Sequence, residues 1–267
     1  MRAFIRRINH LRLLLVQHSV SAYAAQTAFF ILLSFFPFIM LVITALKYFP
    51  FTEEEFLALI LTVVPATLTD AIEGMVDEMY TKQNSLLPIT VVTALWSSSK
   101  GVYSLMRGLN SVYGQKETRG YLKRRISAII YTAVFITALI FTVGLMLLGE
   151  WFIEELIGGL RIKALFIAVR MITQVCILTL LFTVVYYCFP ARRIRLTEHL
   201  PGAVLSACGW VVFTELYSVY AAFANTDIYG SLATMVLTML WLYICMYILL
   251  VGGETNAYLI ELNNADK

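Results

Sequence analysis

The chain has 267 residues, 60% of them hydrophobic and 14% charged, with a net charge of +3 and a mean hydropathy of +0.79. This balance excludes an ordinary soluble domain and reads as an all-α, multi-pass membrane protein with a single membrane domain over residues 1–267. Collagen-like, low-complexity and duplicated-half architectures are excluded too, because glycine and proline number only 14 and 6 and no internal repeat is visible.

Residues 1–21 carry Arg2, Arg6, Arg7 and Arg12, with Phe4, Ile8, Leu11 and Leu15 falling on one side of a helix. The apolar run before Gln17 and His18 is only about five residues long, too short for a cleaved signal. A basic amphipathic helix on the cytoplasmic membrane surface is the better reading.

Six segments have the roughly 20 apolar residues needed to cross a bilayer as helices. They are residues 22–46, 86–109, 126–148, 164–190, 201–224 and 229–250. Pro37 is expected to kink the first. The second is the least apolar, since Ser97-Ser98-Ser99-Lys100-Gly101 interrupts it, and a continuous, a broken and a re-entrant helix are all compatible with it. Between these two spans, residues 50–87 form an outer connection with its own helix signals, a capping box at Thr52 and Glu55 and an amphipathic run from Thr67 to Met79.

Loop charge sets the orientation. The N-terminal segment, the loop with Lys116, Arg119, Lys123, Arg124 and Arg125, and the loop with Arg192, Arg193 and Arg195 are basic, whereas the alternate connections are acidic. The positive-inside rule then puts both termini in the cytoplasm of a bacterial cell, with the chain in the inner membrane.

The second span holds the most informative anomaly. Ser97, Lys100, Ser104, Arg107 and Ser111 follow at steps of three and four, so they share one helical face. Charge at membrane depth costs several kcal/mol unless it is paired, hydrated or able to snorkel. Glu254 and Asn256, in the sequence GGETNA, fall near the same cytoplasmic half, and Glu254 is the expected counter-charge for Lys100 or Arg107. Arg107 also has a competing role as an interfacial anchor. At about 9 Å from the outer side, Arg170 matches the depth of Glu215, so these two form a candidate structural ion pair.

Other polar residues, Gln26, Thr27 and Asn110, read chiefly as hydrogen-bonded packing. The cysteines Cys176, Cys188, Cys208 and Cys245 lie in apolar runs without metal-ligand spacing and read as buried hydrophobes.

Four blocks in order, AFFILLSFFPFI, LWSSSKGVYSLMRGLNSVYG, LPGAVLSACGWVVFTELYSVYA and YGSLATMVLTMLWLYICMYILLVGGETNAYL, resemble the YihY/virulence factor BrkB family of bacterial inner-membrane proteins. The resemblance runs from about Ser21 to Tyr258 and implies a six-helix inner-membrane fold. Phe29 and Phe30 stand where many relatives have Tyr-Tyr, so no role of those hydroxyls carries over. The family has also borne a ribonuclease label, ribonuclease BN.

The residues do not provide that chemistry. His10, His18 and His199 are the only histidines, and none sits in a metal-ligand array able to activate water at a phosphate. Topology already explains the basic cytoplasmic face, so it is poor evidence for nucleic acid. No nucleotide-binding loop or cofactor motif is present, and no cofactor is expected.

Two readings follow. One is a transporter or exporter of an anionic or amphipathic molecule, including a lipid, in contact with membrane lipids and facing it with Ser97, Lys100, Ser104, Arg107, Glu254 and Asn256. The other is a non-catalytic scaffold for envelope assembly, in which the stripe is a packing network. Six helices enclose a small site, and a homo-oligomer would provide a larger one.

Overall fold

A computed structural model describes residues 2–46, 87–115, 119–120, 122–131, 163–191, 194–223 and 230–265. The described residues are helical, with no strand among them. Helix α1 is Arg2–Gln17, α2 Val20–Leu46, α3 Leu87–Val112, α4 residues 122–131, α5 Lys163–Cys188, α6 Leu200–Phe223 and α7 Gly230–Ala265. A 3₁₀ turn, Leu196–His199, leads into α6. The helices expected in the connection over residues 50–87 lie outside the described residues, as does the part of the third span beyond residue 131.

By length and composition three helical stretches among the described residues suit a membrane crossing: Met171–Cys188, Leu196–Tyr220 and Met235–Asn264. Their outward positions are apolar, with Leu180, Val212, Leu216 and Val236 all more than half exposed. Lipid satisfies such side chains as well as a protein core does. The segment expected as the second span is one unbroken helix: α3 runs 26 residues, about 39 Å at 1.5 Å per residue, through the serine cluster. It ends because Gly114 takes a left-handed φ of 59°, which lets Gln115 N–H reach Asn110 O at 2.8 Å and Gly114 N–H reach Ser111 O at 3.1 Å. That pair of bonds satisfies carbonyls the last helical turn leaves open. α2 likewise passes through Pro37 as one helix of 27 residues.

Helix α2 lies along α3, and α7 packs against both while α6 covers its other side and α5 flanks α6. The shared core takes Leu105, Met106 and Leu109 from α3, Ala203 and Ala207 from α6, and Met246, Leu249 and Leu250 from α7. Small residues bring α6 and α7 into backbone contact. A methyl on Gly202 would sit 2.0 Å from Gly252 O, and one on Gly252 would sit 1.9 Å from Ser206 Oγ. The last helix is far longer than the span expected from hydropathy, continuing past Leu250 to Ala265.

Candidate functional site

At the end of the bundle where α1 meets α2, the part of α7 just beyond the apolar run crosses the end of α3 and the start of α6. Glu254 lies there, 1% exposed. Its two carboxylate oxygens are 2.9 and 3.0 Å from His18 Nδ1, which donates its N–H to them. His18 belongs to the two-residue corner between α1 and α2, where Ser19 takes φ 53° to turn the chain. Ser111 Oγ donates to His18 O at 3.1 Å, fastening the same corner to α3.

This corrects the expectation that Glu254 answers Lys100 or Arg107. Among the described residues the ion pair of Glu254 is with His18, and neither cation of α3 has a carboxylate within ion-pair distance. The reason is geometric: Glu254 is drawn to the corner residue nearest the end of α3, whereas the cations sit further along that helix. Arg107 is exposed, its guanidinium 5.9 Å from the ring centroid of Tyr23, and Lys100 is half-buried. Ser104 is buried between them, and its Oγ has no hydrogen-bond partner. The side chain of Ser97 lies outside the described residues, and so does that of Arg170, while its suggested partner Glu215 is exposed on α6.

Asn256, two residues after Glu254, is fully buried and ties α7 to the entry of α6. Its Oδ1 accepts from Gly202 N–H at 2.7 Å and its Nδ2 donates to His199 O at 3.0 Å. Tyr113 shares a hydrogen bond of 3.1 Å with His199 Nδ1, and His199 is enclosed by the rings of Tyr113, Tyr186 and Tyr187 at 5.7, 6.5 and 6.4 Å. Burial pushes the Tyr113 phenol up, opposed by the nearby Asn256 amide and reinforced by the charge of Glu254. The phenol therefore stays protonated and acts as a donor. Tyr186 Oη bonds Ser206 Oγ at 2.8 Å and donates to Leu249 O at 2.6 Å. Thr27 and Asn110 also bond to backbone: Thr27 Oγ1 donates to Tyr23 O, and Asn110 Oδ1 accepts from Ala191 N–H, both at 2.7 Å.

Sequence reasoning missed His18, Tyr113, Tyr186 and His199. Each was visible as a polar residue near the edge of an apolar run, but which edges meet is a property of the packing. It also placed Arg125 in a cytoplasmic loop. The structure instead buries Arg125, its guanidinium 4.4 Å from the ring centroid of Trp96 and donating to Trp96 O. All four cysteines are free thiols, and Cys176 and Cys208 are exposed rather than buried. Among the described residues no group of three His, Cys, Asp or Glu side chains is placed to hold a metal ion.

The family model for virulence factor BrkB matches residues 14–267. A ribonuclease-like protein of Bacillus subtilis (strain 168), YfkH, is 30% identical over 91% of this chain and 90% of its own length. UPF0761 membrane proteins of Aggregatibacter aphrophilus and Aliivibrio salmonicida are 22% and 24% identical, over 93% and 92% of this chain and 90% and 81% of theirs. No solved structure matches the chain.

Proposed function

The chain belongs to the virulence factor BrkB family and is a membrane protein, and from that premise we propose that it moves an anionic or amphipathic molecule, including a lipid, across the bacterial inner membrane. It does so through six spans with both termini in the cytoplasm and without nucleotide hydrolysis of its own. One observation carries this reading. Glu254 is engaged by His18, so Lys100 and Arg107 on α3 have no carboxylate within ion-pair distance among the described residues. A cation held at membrane depth without an internal counter-charge favours an external anion, and phosphate or carboxylate is the natural match for two cations on one helical face. Ser104 lies between them in sequence but is buried, so the two cations alone are offered to the anion.

The ribonuclease-like name of YfkH does not transfer readily to these residues. His18 is committed to Glu254, His199 is enclosed by tyrosines, and His10 lies against Tyr258 with ring centroids 5.5 Å apart. Hydrolysis of a phosphodiester needs such groups gathered around one reacting atom. We therefore read the protein as a non-enzyme that does not bind nucleic acid.

A scaffold role is favoured by a different observation, the internal bonding of Asn256 and Tyr186, which serves packing whether or not anything moves. Reconstitution separates the two readings. Proteoliposomes containing the purified chain should translocate a fluorescent anionic lipid or an organic anion faster than empty vesicles, and Lys100→Met should reduce that rate at least about tenfold while the chain still folds. Wild-type rates equal to those of empty vesicles for both anions, or full rates in Lys100→Met, would exclude this use of the α3 face.

A further inference from the structure

A second basic feature lies away from the α3 face, between α4 and the end of α5. Lys123, Ser127 and Tyr131 follow at steps of four, so one side of α4 forms a wall, and Tyr187 with the turn at Pro190 forms the opposite wall. Arg119 closes the rim. The cavity between them measures about 250 Å³, and its described lining residues include no carboxylate.

Its frame is held from within. Arg119 Nη2 donates to Phe189 O at 3.2 Å, and Tyr131 Oη donates to Cys188 O at 3.0 Å. The ring of Tyr131 stacks on Phe189, centroids 5.0 Å apart and 14° from parallel. These contacts cover carbonyls at the C-terminal end of α5, whose partial negative charge would otherwise repel an anion. What faces the cavity is then two cations and hydroxyl groups above an apolar floor that includes Cys188 and Pro190.

We infer that this cavity binds a phosphate-bearing group, with Arg119 and Lys123 meeting the anionic oxygens and Ser127 and Tyr187 supplying hydroxyl hydrogen bonds. An arginine, a lysine and two hydroxyls around a small cavity match the several acceptor oxygens of a phosphate better than a single carboxylate. The volume suits a phosphate with a short polar substituent and excludes a polymer. The site stands apart from the proposed transport face and does not depend on transport.

The group has two possible sources, a phospholipid head at the membrane surface or a soluble phosphate ester. The test titrates the purified full-length chain with phosphatidylglycerol or phosphatidylcholine and counts bound molecules by native mass spectrometry. A parallel series uses glycerol 3-phosphate. Arg119 braces α5, so the variants are Lys123→Gln, on an exposed residue, and Ser127→Ala. One bound phosphatidylglycerol per chain is expected, weakened at least about tenfold in Lys123→Gln and less in Ser127→Ala. Competition by glycerol 3-phosphate would identify a soluble source and its failure a lipid source, both within the inference.

Arg12→Gln serves as the control, because Arg12 is an exposed cation of α1 outside the cavity. A general surface field weighs cations at the same membrane surface alike. Equal weakening in Arg12→Gln and Lys123→Gln, or no binding of either phosphate compound that depends on Lys123, would overturn the inference.

Discussion

His18 and Glu254 make the plainest case at the scale of single residues. A buried carboxylate that loses its partner keeps its desolvation cost without compensation, and breaking such a pair costs about 3–5 kcal/mol. His18 is 21% exposed, so water takes up part of the loss and His18→Ala should cost about 2–3 kcal/mol, read as a lower thermal midpoint in detergent. Glu254→Gln removes the charge instead. The double variant should then be less destabilised than the two single losses added together, and strict additivity would mean the two side chains do not interact. Tyr186→Phe belongs to the same scale. It strips a hydrogen bond from Leu249 O and from Ser206 Oγ, with an expected cost of about 1–3 kcal/mol in the same assay. The sequence already marked Glu254 as a counter-charge, though for Lys100 or Arg107. It did not mark His18, which lies 236 positions away in a corner between helices. Depth along a span can be counted from a sequence, whereas which ends converge is set by packing.

At the scale of elements, two glycines decide how α6 meets α7. Gly202→Ala would drive a methyl into Gly252 O, and Gly252→Ala one into Gly202 O besides Ser206 and Tyr186, and no rotamer change moves those backbone carbonyls. Either substitution should cost about 3 kcal/mol or more, detectable as loss of folded protein, whereas Gly120→Ala, with nothing within 4 Å of the added methyl, should be silent. The Gly252-Gly253 pair was legible as a close-approach signal, but its opposite number Gly202 was not, since nothing in one sequence says which helix crosses which. The corner at Ser19 follows similar logic. Its φ of 53° is unfavourable for a residue with a Cβ, so Ser19→Gly should raise the thermal midpoint and Ser19→Val should lower it. Helix boundaries were legible where lipid and helix end together: α5 ends two residues before its expected end and α6 begins one residue before its expected start. They were not for α7, because hydropathy reports where lipid ends and GGETNAYLIELNN stays helical after leaving it.

At the scale of the whole molecule, the contacts of α1 constrain the topology independently of loop charge. His10 packs on Tyr258 with ring centroids 5.5 Å apart, and His18 bonds Glu254, so α1 lies beside the last turns of α7. Both ends of the described chain therefore meet at one end of the helix bundle. Under the proposed topology, with both termini on one side of the membrane, the number of crossings is even, as six spans require. The positive-inside rule adds only which side it is. In a background without the four native cysteines, Arg12→Cys and Asn264→Cys should both resist a membrane-impermeant maleimide in intact spheroplasts and both react in inverted vesicles. Glu54→Cys, in the connection between α2 and α3, should show the opposite pattern. Labelling of Arg12→Cys and Asn264→Cys from different sides would contradict the packing of α1 on α7. Labelling of both from outside would keep that packing and reverse the orientation, which would place Lys100 and Arg107 nearer the outer leaflet and make an outward-facing anion the one to seek.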